Sequence, residues 1–317
     1  MRVILLIEHL GLHGGVRRCI ELGNALVAAG HEVYIGTEKG EPCTWWPTLP
    51  WLYAWDKLPI SSCGLVIIFG ITATMRRLVD RLGAKHKAMY LVGVDETDLE
   101  RIETEKGNWL EIVTEGEYHN LACSTWIYEW IKAKLNPNVQ LLIGGLNRTI
   151  FHPVKDARRP GELLILNSGD NRGREGTKCV GQAFEIIKER YHVAKLTTYC
   201  KKGYPQSEMA RVYASSALYL DGQHYAGWAN TVIESMACGT PVVCTNIGGV
   251  RDFAIDGVSA LVVPREDPQA MANAALRLLD DPGMYQLIVK GGLKYSSRFS
   301  YAETVRTLEG YIEGWSG

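Results

Sequence analysis

Residues 217–245 read ALYLDGQHYAGWANTVIESMACGTPVVCT. Ala217–Leu220 is a short apolar run of strand character, followed by a glycine-bearing loop that enters a helix near Asn230–Cys238. Gly239 ends the helix, and Pro241 leads into a second apolar strand, Val242–Thr245. Strand, loop, helix and strand is the βαβ pattern of a parallel sheet with right-handed crossovers. In such sheets ligands sit beyond the carboxyl ends of the strands. Asn230 and Thr231 fall at the helix N-terminus, where unsatisfied backbone N–H groups suit phosphate oxygens. Glu234 is one turn further on, and an acceptor-only carboxylate there can take both hydroxyls of a ribose. Ordinary helix capping plus an exposed glutamate is the simpler reading of the same residues.

The rest of the second half repeats this plan. Leu163–Leu166 is a strand, followed by the polar loop NSGDNRGREGT and a helix over Lys178–Arg190. Ala194–Tyr199 is a strand, Ser207–Ser215 a helix, and Ala260–Val263 a last short strand. Helices follow from about Pro268 to Leu279 and from Pro282 to Ser297, and the amphipathic segment Tyr301–Tyr311 closes the chain. The first half opens the same way. Val3–Ile7 is a strand, GLHGGV a loop, and Val16, Cys19, Ile20, Gly23, Leu26 and Val27 fall at helical spacing. Gly30 stops that helix before a strand at 31–37. Leu65–Phe69, Ala88–Val92, Leu121–Ser124 and Val139–Ile143 read as further strands, with a helix over Thr125–Leu135. The polar run KDARRPG at 155–161 reads as an interdomain linker.

A length of 317 residues is a prior for two domains. Thirty-four Lys and Arg against thirty-five Asp and Glu leave a net charge of −1, which argues against bulk electrostatic binding of nucleic acid but allows a local basic groove. No apolar run approaches the roughly 20 residues of a membrane span, and the N-terminal run reads as a strand rather than a signal peptide. A cytoplasmic location follows as an expectation. The eight cysteines form no C-x-x-C pair and the histidines no ligand-spaced pair, so no metal site is expected. The G-x-G-x-x-G fingerprint is absent, which counts against a nicotinamide-dependent oxidoreductase.

The run ESMACGTPVV followed by IGGV resembles the donor-binding signature of glycosyltransferase family 4, retaining enzymes of the GT-B fold. Other segments agree in order: the N-terminal GGV loop, Ser124-Thr-Trp, Ile143-Gly-Gly-Leu-Asn with Phe151-His-Pro, and Asp256-Gly-Val-Ser-Ala-Leu-Val-Val-Pro with Asp267-Pro. The resemblance implies an α/β protein with two Rossmann-like parallel-sheet domains facing a central cleft. Residues 1–154 would form the acceptor side and 155–298 the nucleotide-sugar side, with a C-terminal helix at 299–317 packing back on the first domain. It also implies a UDP- or GDP-sugar as donor substrate, no cofactor and no metal, with retention of anomeric configuration. Gly14, Gly15, Gly169, Gly203, Tyr204, Gly227, Asn230, Thr231 and Glu234 make up the implied donor set.

The departures from the family pattern concern charge. Glu234 matches the second of the family's two spaced glutamates, but the first falls on Ala226, with His224 and Asp221 as the replacements at hand. The columns of the family's phosphate-gripping pair read Gly169-Asp170 and Glu175-Gly176 here. Arg172, Arg174 and Lys178 lie close by and are the expected source of positive charge at the diphosphate, since an arginine can grip it bidentately. Where many members carry a histidine near the reacting carbon, Met89–Glu96 carries Asp95 and Glu96. Asp95 is the candidate to steady the cationic sugar or to accept a proton, with helix capping as its plain alternative.

The aromatic cluster Trp45, Trp46, Trp51, Tyr53 and Trp55 fits core packing, a contact surface for a partner or membrane interface, or an acceptor platform. The basic stretch Arg76, Arg77, Arg81, Lys85 and Lys87 reads as a solvated helix face, with a polyanionic acceptor or lipid phosphates as the alternative. The acceptor stays open among a glycan, a lipid-linked saccharide and a modified DNA base. Nucleic acid is allowed but not favoured, as is peripheral membrane contact. The alternative is a non-catalytic nucleotide-sugar-binding or scaffold protein, suggested by Ala226 and the acidic replacements.

Overall fold

The computed structural model describes residues 1–59, 63–70, 72–93, 113–114, 116–158, 162–170, 173–200 and 204–316, without the side chains of Ala73 and Arg174. The chain divides into two compact units, Met1–Gly145 with Ser300–Gly317, and Leu146–Phe299. The division falls between Gly145 and Leu146 rather than in the polar run at 155–161, so the passage through Phe151-His-Pro goes with the second unit.

The first unit holds β1 (Arg2–Leu6), α1 (Gly14–Ala28), β2 (Glu32–Thr37), β3 (Trp51–Ala54), β4 (Leu65–Ile68), α2 (Ala73–Leu82), β5 (His86–Leu91), β6 (His119–Ala122), α3 (Thr125–Lys134) and β7 (Gln140–Leu141). Among the described residues its strands form one parallel sheet in the order β3-β2-β1-β4-β5-β6-β7. The apolar runs Val3–Leu6 and Leu65–Ile68 are fully buried, as strands covered on both faces require.

The second unit holds β8 (Leu163–Asn167), α4 (Thr177–Arg190), β9 (Ala194–Thr198), α5 (Met209–Ala214), β10 (Leu218–Asp221), α6 (Asn230–Ala237), β11 (Val242–Thr245), β12 (Leu261–Val263), α7 (Pro268–Asp280) and α8 (Pro282–Ser296). Its sheet, also parallel, runs β12-β11-β10-β8-β9. Ile165, Val180, Ile187, Leu218, Leu220, Val243, Met271 and Leu278 form its core.

The last helix, α9 (Tyr301–Trp315), belongs to the first unit. Three side chains tie it to the end of that sheet: Thr304 donates to the carbonyl of Ile143, Tyr311 to that of Leu141, and Trp315 Nε1 to Gln140 Oε1, at 2.8, 2.8 and 2.9 Å. Arg18, only 3% exposed on α1, lies beneath this junction. Its Nη1 is 3.4 Å from the Tyr90 hydroxyl, which in turn donates to the carbonyl of Leu142 at 2.8 Å. A Cβ on Gly144 would lie 1.3 Å from that Nη1, so the guanidinium fits only because residue 144 has no side chain. Burial works against the charge and the hydrogen bond with the Tyr90 hydroxyl favours it; the guanidinium stays protonated.

The aromatic cluster divides. Trp46 is buried, Trp51 is 56% exposed on the edge strand β3 beside Tyr34, and Trp55 donates to the carbonyl of Gly36. The basic stretch is partly paired: Lys87 reaches Asp80 at 3.2 Å and Glu117 at 2.7 Å, and Arg76 reaches Glu117 at 3.9 Å. Arg77, Arg81 and Lys85 are exposed.

Candidate functional site

In the second sheet β8 and β10 are neighbours, while their successors β9 and β11 lie on opposite sides of them. This is a topological switch point, where the loops leaving two adjacent strands part and open a crevice at the carboxyl ends. The two loops run to the N-termini of α4 and α6. Their backbones press together: a Cβ on Gly176, whose φ is +60°, would meet the carbonyl oxygen of Gly222 at 1.7 Å. Only glycine allows both that conformation and that approach.

Both helices start without a side-chain cap, with Gly176 and Ala229 at their N-cap positions. By contrast α7, α8 and α9 are capped by Asp267, Asp281 and Ser300. Asn230 N–H donates to the Trp228 carbonyl at 3.0 Å; the N–H groups that follow it in α6 and those opening α4 have no side-chain cap, and at the positive end of a helix dipole such groups suit an anion. The loop before α6 is held firmly. Trp228 packs edge-to-face on Phe253 and Phe299 at 5.0 and 5.1 Å, Ala229 N–H donates to the Gly249 carbonyl at 3.0 Å, and Thr245 donates its hydroxyl to the Gln223 carbonyl.

Two buried carboxylates belong to β10 and α6. Glu234, 3% exposed, accepts from the Tyr213 hydroxyl at 3.1 Å. Asp221, 2% exposed at the end of β10, accepts from Gln223 N–H at 3.1 Å, from the Thr231 hydroxyl at 3.2 Å and from the Tyr219 hydroxyl at 3.4 Å. Burial pushes the Asp221 carboxyl up to about 6, the Gln223 N–H bond opposes this, and the nearby Glu175 adds to it. Tyr199 joins the phenols: its ring stands edge-on to Tyr213 at 6.0 Å, Tyr213 stands likewise to Tyr219 at 5.9 Å, and the Tyr199 hydroxyl bonds with both. Burial holds the Tyr199 and Tyr219 phenols protonated well above their ordinary range.

The residues expected from the sequence are placed as follows. Asn230, Thr231, Glu234 and Gly227 come together at α6 and its leading loop. Gly169 donates its N–H to Asn167 Oδ1 at 2.8 Å in the loop after β8, and Lys178 stands exposed in the first turn of α4. Tyr204 is half-buried in the loop after β9. Gly14 and Gly15 open α1 in the first unit, again without a side-chain cap. Asp95, Arg172 and Gly203 lie outside the described residues, and Arg174 is described only by its backbone, in the single 3-10 turn Gly173–Glu175. Glu234 is not the exposed glutamate of the simpler reading. Ala226 backs onto Gly249, whose Cβ would meet the Ala226 carbonyl oxygen at 2.4 Å. His224, two residues earlier, is 3.5 Å from Glu266, and Arg265 donates to its carbonyl at 3.1 Å. The tyrosines escaped the sequence reading, because nothing in the run around Tyr213 distinguishes it from a core residue of an amphipathic helix.

Residues 164–281 match the family model for glycosyl transferases group 1. The D-inositol 3-phosphate glycosyltransferase of Thermobispora bispora is 34% identical over 110 residues, which is 34% of this chain and 26% of that protein. Its counterpart in Corynebacterium urealyticum is 28% identical over 149 residues, or 47% of this chain and 34% of that protein. The chain thus spans about a quarter to a third of the length of these curated relatives. Among solved structures, sucrose-phosphate synthase from Thermosynechococcus elongatus superposes with a TM-score of 0.77 at 19% identity, covering 99% of both chains. Anabaena Alr3699/HepE in complex with UDP-glucose superposes at 0.76 with 11% identity, covering 99% of this chain and 100% of that one. These likenesses establish the GT-B fold, and the matched segment within the second unit is similar to the group 1 glycosyl transferases.

Proposed function

We propose that this protein is a glycosyltransferase that moves a sugar from a nucleotide-diphosphate donor to a hydroxyl acceptor. The observation that carries the reading is the close approach, at Gly176 and Gly222, of the two loops that open the uncapped helices α4 and α6, the second bearing the buried Glu234, at the switch point of the sheet matched by the family model. In this reading the diphosphate lies against the first turns of α4 and α6, and Glu234 takes the ribose hydroxyls, oriented by Tyr213. Lys178, Arg172 and Arg174 supply positive charge to the departing nucleoside diphosphate, and Asp95 serves at the sugar. Charge neutralised in this way needs no metal, and the oxocarbenium-like transition state is attacked on the face the nucleotide leaves, with retention.

The first test is a thermal-shift screen of UDP-glucose, GDP-mannose, ADP-glucose and dTDP-glucose, followed by an assay of nucleotide release with candidate hydroxyl acceptors. The UDP-glucose in the Anabaena complex makes the uridine donor the first choice, and the names of the curated relatives make D-inositol 3-phosphate the first acceptor. Release is expected to survive EDTA. The Glu234→Gln variant, which keeps the shape and the Tyr213 contact, is expected to bind its donor about tenfold more weakly, the worth of a charge-assisted hydrogen bond. Donor affinity equal to wild type removes Glu234 from the ribose. The residue at 226 favours a second reading, a nucleotide-sugar-binding protein without turnover, because an alanine stands where the family has a carboxylate. Binding of a donor with no release in any acceptor mixture selects that reading.

A further inference from the structure

We propose that Asp221 couples donor binding to the uptake of one proton, by reversing the hydrogen bond it shares with Thr231. The inference rests on the donor-site reading above and adds a regulation of that site. Thr231, the second residue of α6, donates its hydroxyl hydrogen to Asp221 Oδ2 at 3.2 Å, with the Tyr219 phenol also within its hydrogen-bonding reach. It then has only lone pairs to offer an incoming phosphate oxygen, and the ionised Asp221 beneath it adds like charge. When a proton from solvent joins Oδ2, the new O–H donates to Thr231 Oγ1, and the Thr231 hydrogen is released to a phosphate oxygen. One O–H bond forms on Asp221, and nothing is oxidised or reduced.

The neighbourhood suits this exchange. Tyr219 on the same strand donates to Oδ2, Gln223 N–H donates to Oδ1, and Glu175 from the adjoining loop contributes negative charge. Cys244, paired with Asp221 across β10 and β11, is held as a neutral thiol by burial, and Tyr199 behind Tyr219 as a neutral phenol. Burial raises Asp221 to about 6. A bound diphosphate raises it further, so binding is strongest below that pH and weakens above it.

The test is calorimetric titration of the four nucleotide sugars between pH 5 and 8, each in two buffers of different ionisation enthalpy. Their diesterified diphosphates hold constant charge over this range, so any proton taken up belongs to the protein. Wild type is expected to take up up to one proton per donor, with affinity falling about tenfold per pH unit above pH 6.5. Asp221→Asn, whose amide donates permanently to Thr231, is expected to take up no proton and to bind at pH 8 as wild type does at pH 5. Thr231→Val is expected to bind weakly at every pH. His224→Gln, altering the other titratable side chain of the loop, is expected to keep the uptake. Donor binding without proton uptake in wild type overturns the inference whether or not the variants fold, as does an unchanged pH slope in Asp221→Asn or loss of uptake in His224→Gln. Failure of all four sugars to bind at pH 5 overturns the donor reading itself, and this inference with it.

Discussion

In the first unit the charges taken out of water include a cation, Arg18, set among Tyr90, Tyr301 and the backbone at Gly144, with the carboxylate Glu21 buried on the same helix. In the second they are carboxylates: Asp221 and Glu234, set against Tyr219 and Tyr213, and Glu175 in the adjoining loop. Both units are parallel sheets with helical crossovers, and both use phenols to solvate what they bury. The difference lies in whether the charge can be given up. A guanidinium keeps its proton under all folding conditions, so Arg18 is a permanent fixture that pins residues 142–144 and, through them, α9. A carboxylate can be neutralised, so its burial at the carboxyl end of β10 makes a group that responds to whatever anion arrives.

The sharpest way to break the comparison is Gly144→Ala. The new Cβ would displace the Arg18 guanidinium from its seat, leaving a buried charge without its partners, at an expected cost of about 3 kcal/mol or more. Urea denaturation measures it, and a loss below about 1 kcal/mol would show that Arg18 is not a fixed structural element.

Asp221→Asn probes the other unit. The folded-state carboxyl titrates above its unfolded value, so the stability linked to its protonation is present in full at acid pH and is lost as pH rises through about 6. The variant is therefore expected to gain on the order of 1–3 kcal/mol relative to wild type between pH 5 and pH 8. Melting curves at both pH values decide the sign, and a difference that is constant with pH removes the titratable character assigned to this residue.

The smallest effect is expected from Ser300→Ala. Ser300 caps α9 by accepting from Glu303 N–H at 3.2 Å, and its loss is expected to cost about 1 kcal/mol. Hydrogen exchange should show the loosening in α9 and at residues 141–145, while donor affinity stays unchanged. A loss of donor affinity instead would mean that the closing helix of the first unit takes part in the donor site.

Much of this was legible along the chain. Asn230, Thr231 and Glu234 share one helix, and the strand before it and the loop between are contiguous, so local periodicity suffices to place them. The edge strand β3 was not legible: Trp51–Ala54 lacks a clean alternation, and whether Trp46 is buried while Trp51 is exposed depends on what β2 offers beside them. Asp221 could be seen only as one replacement for a missing glutamate: its donors Gln223, Thr231 and Tyr219 are near in sequence, but the burial and the Glu175 charge that act on it come from packing. Tyr213 meets Glu234 across 21 positions, a pairing that α5 and α6 make only once both are packed.

The order of strands, glycine loops and helices, and the run of residues matched to the glycosyl transferases, were determined by the sequence alone, because hydrophobic period and turn chemistry act over a few neighbouring positions. Which charged groups would leave water, and whether the environment would leave them fixed or free to titrate, was decided by the tertiary structure. Desolvation depends on atoms brought from distant parts of the chain: Arg18 meets Tyr90, Gly144 and Tyr301, and Asp221, though its donors are local, is buried and faces Glu175 only when the sheet closes.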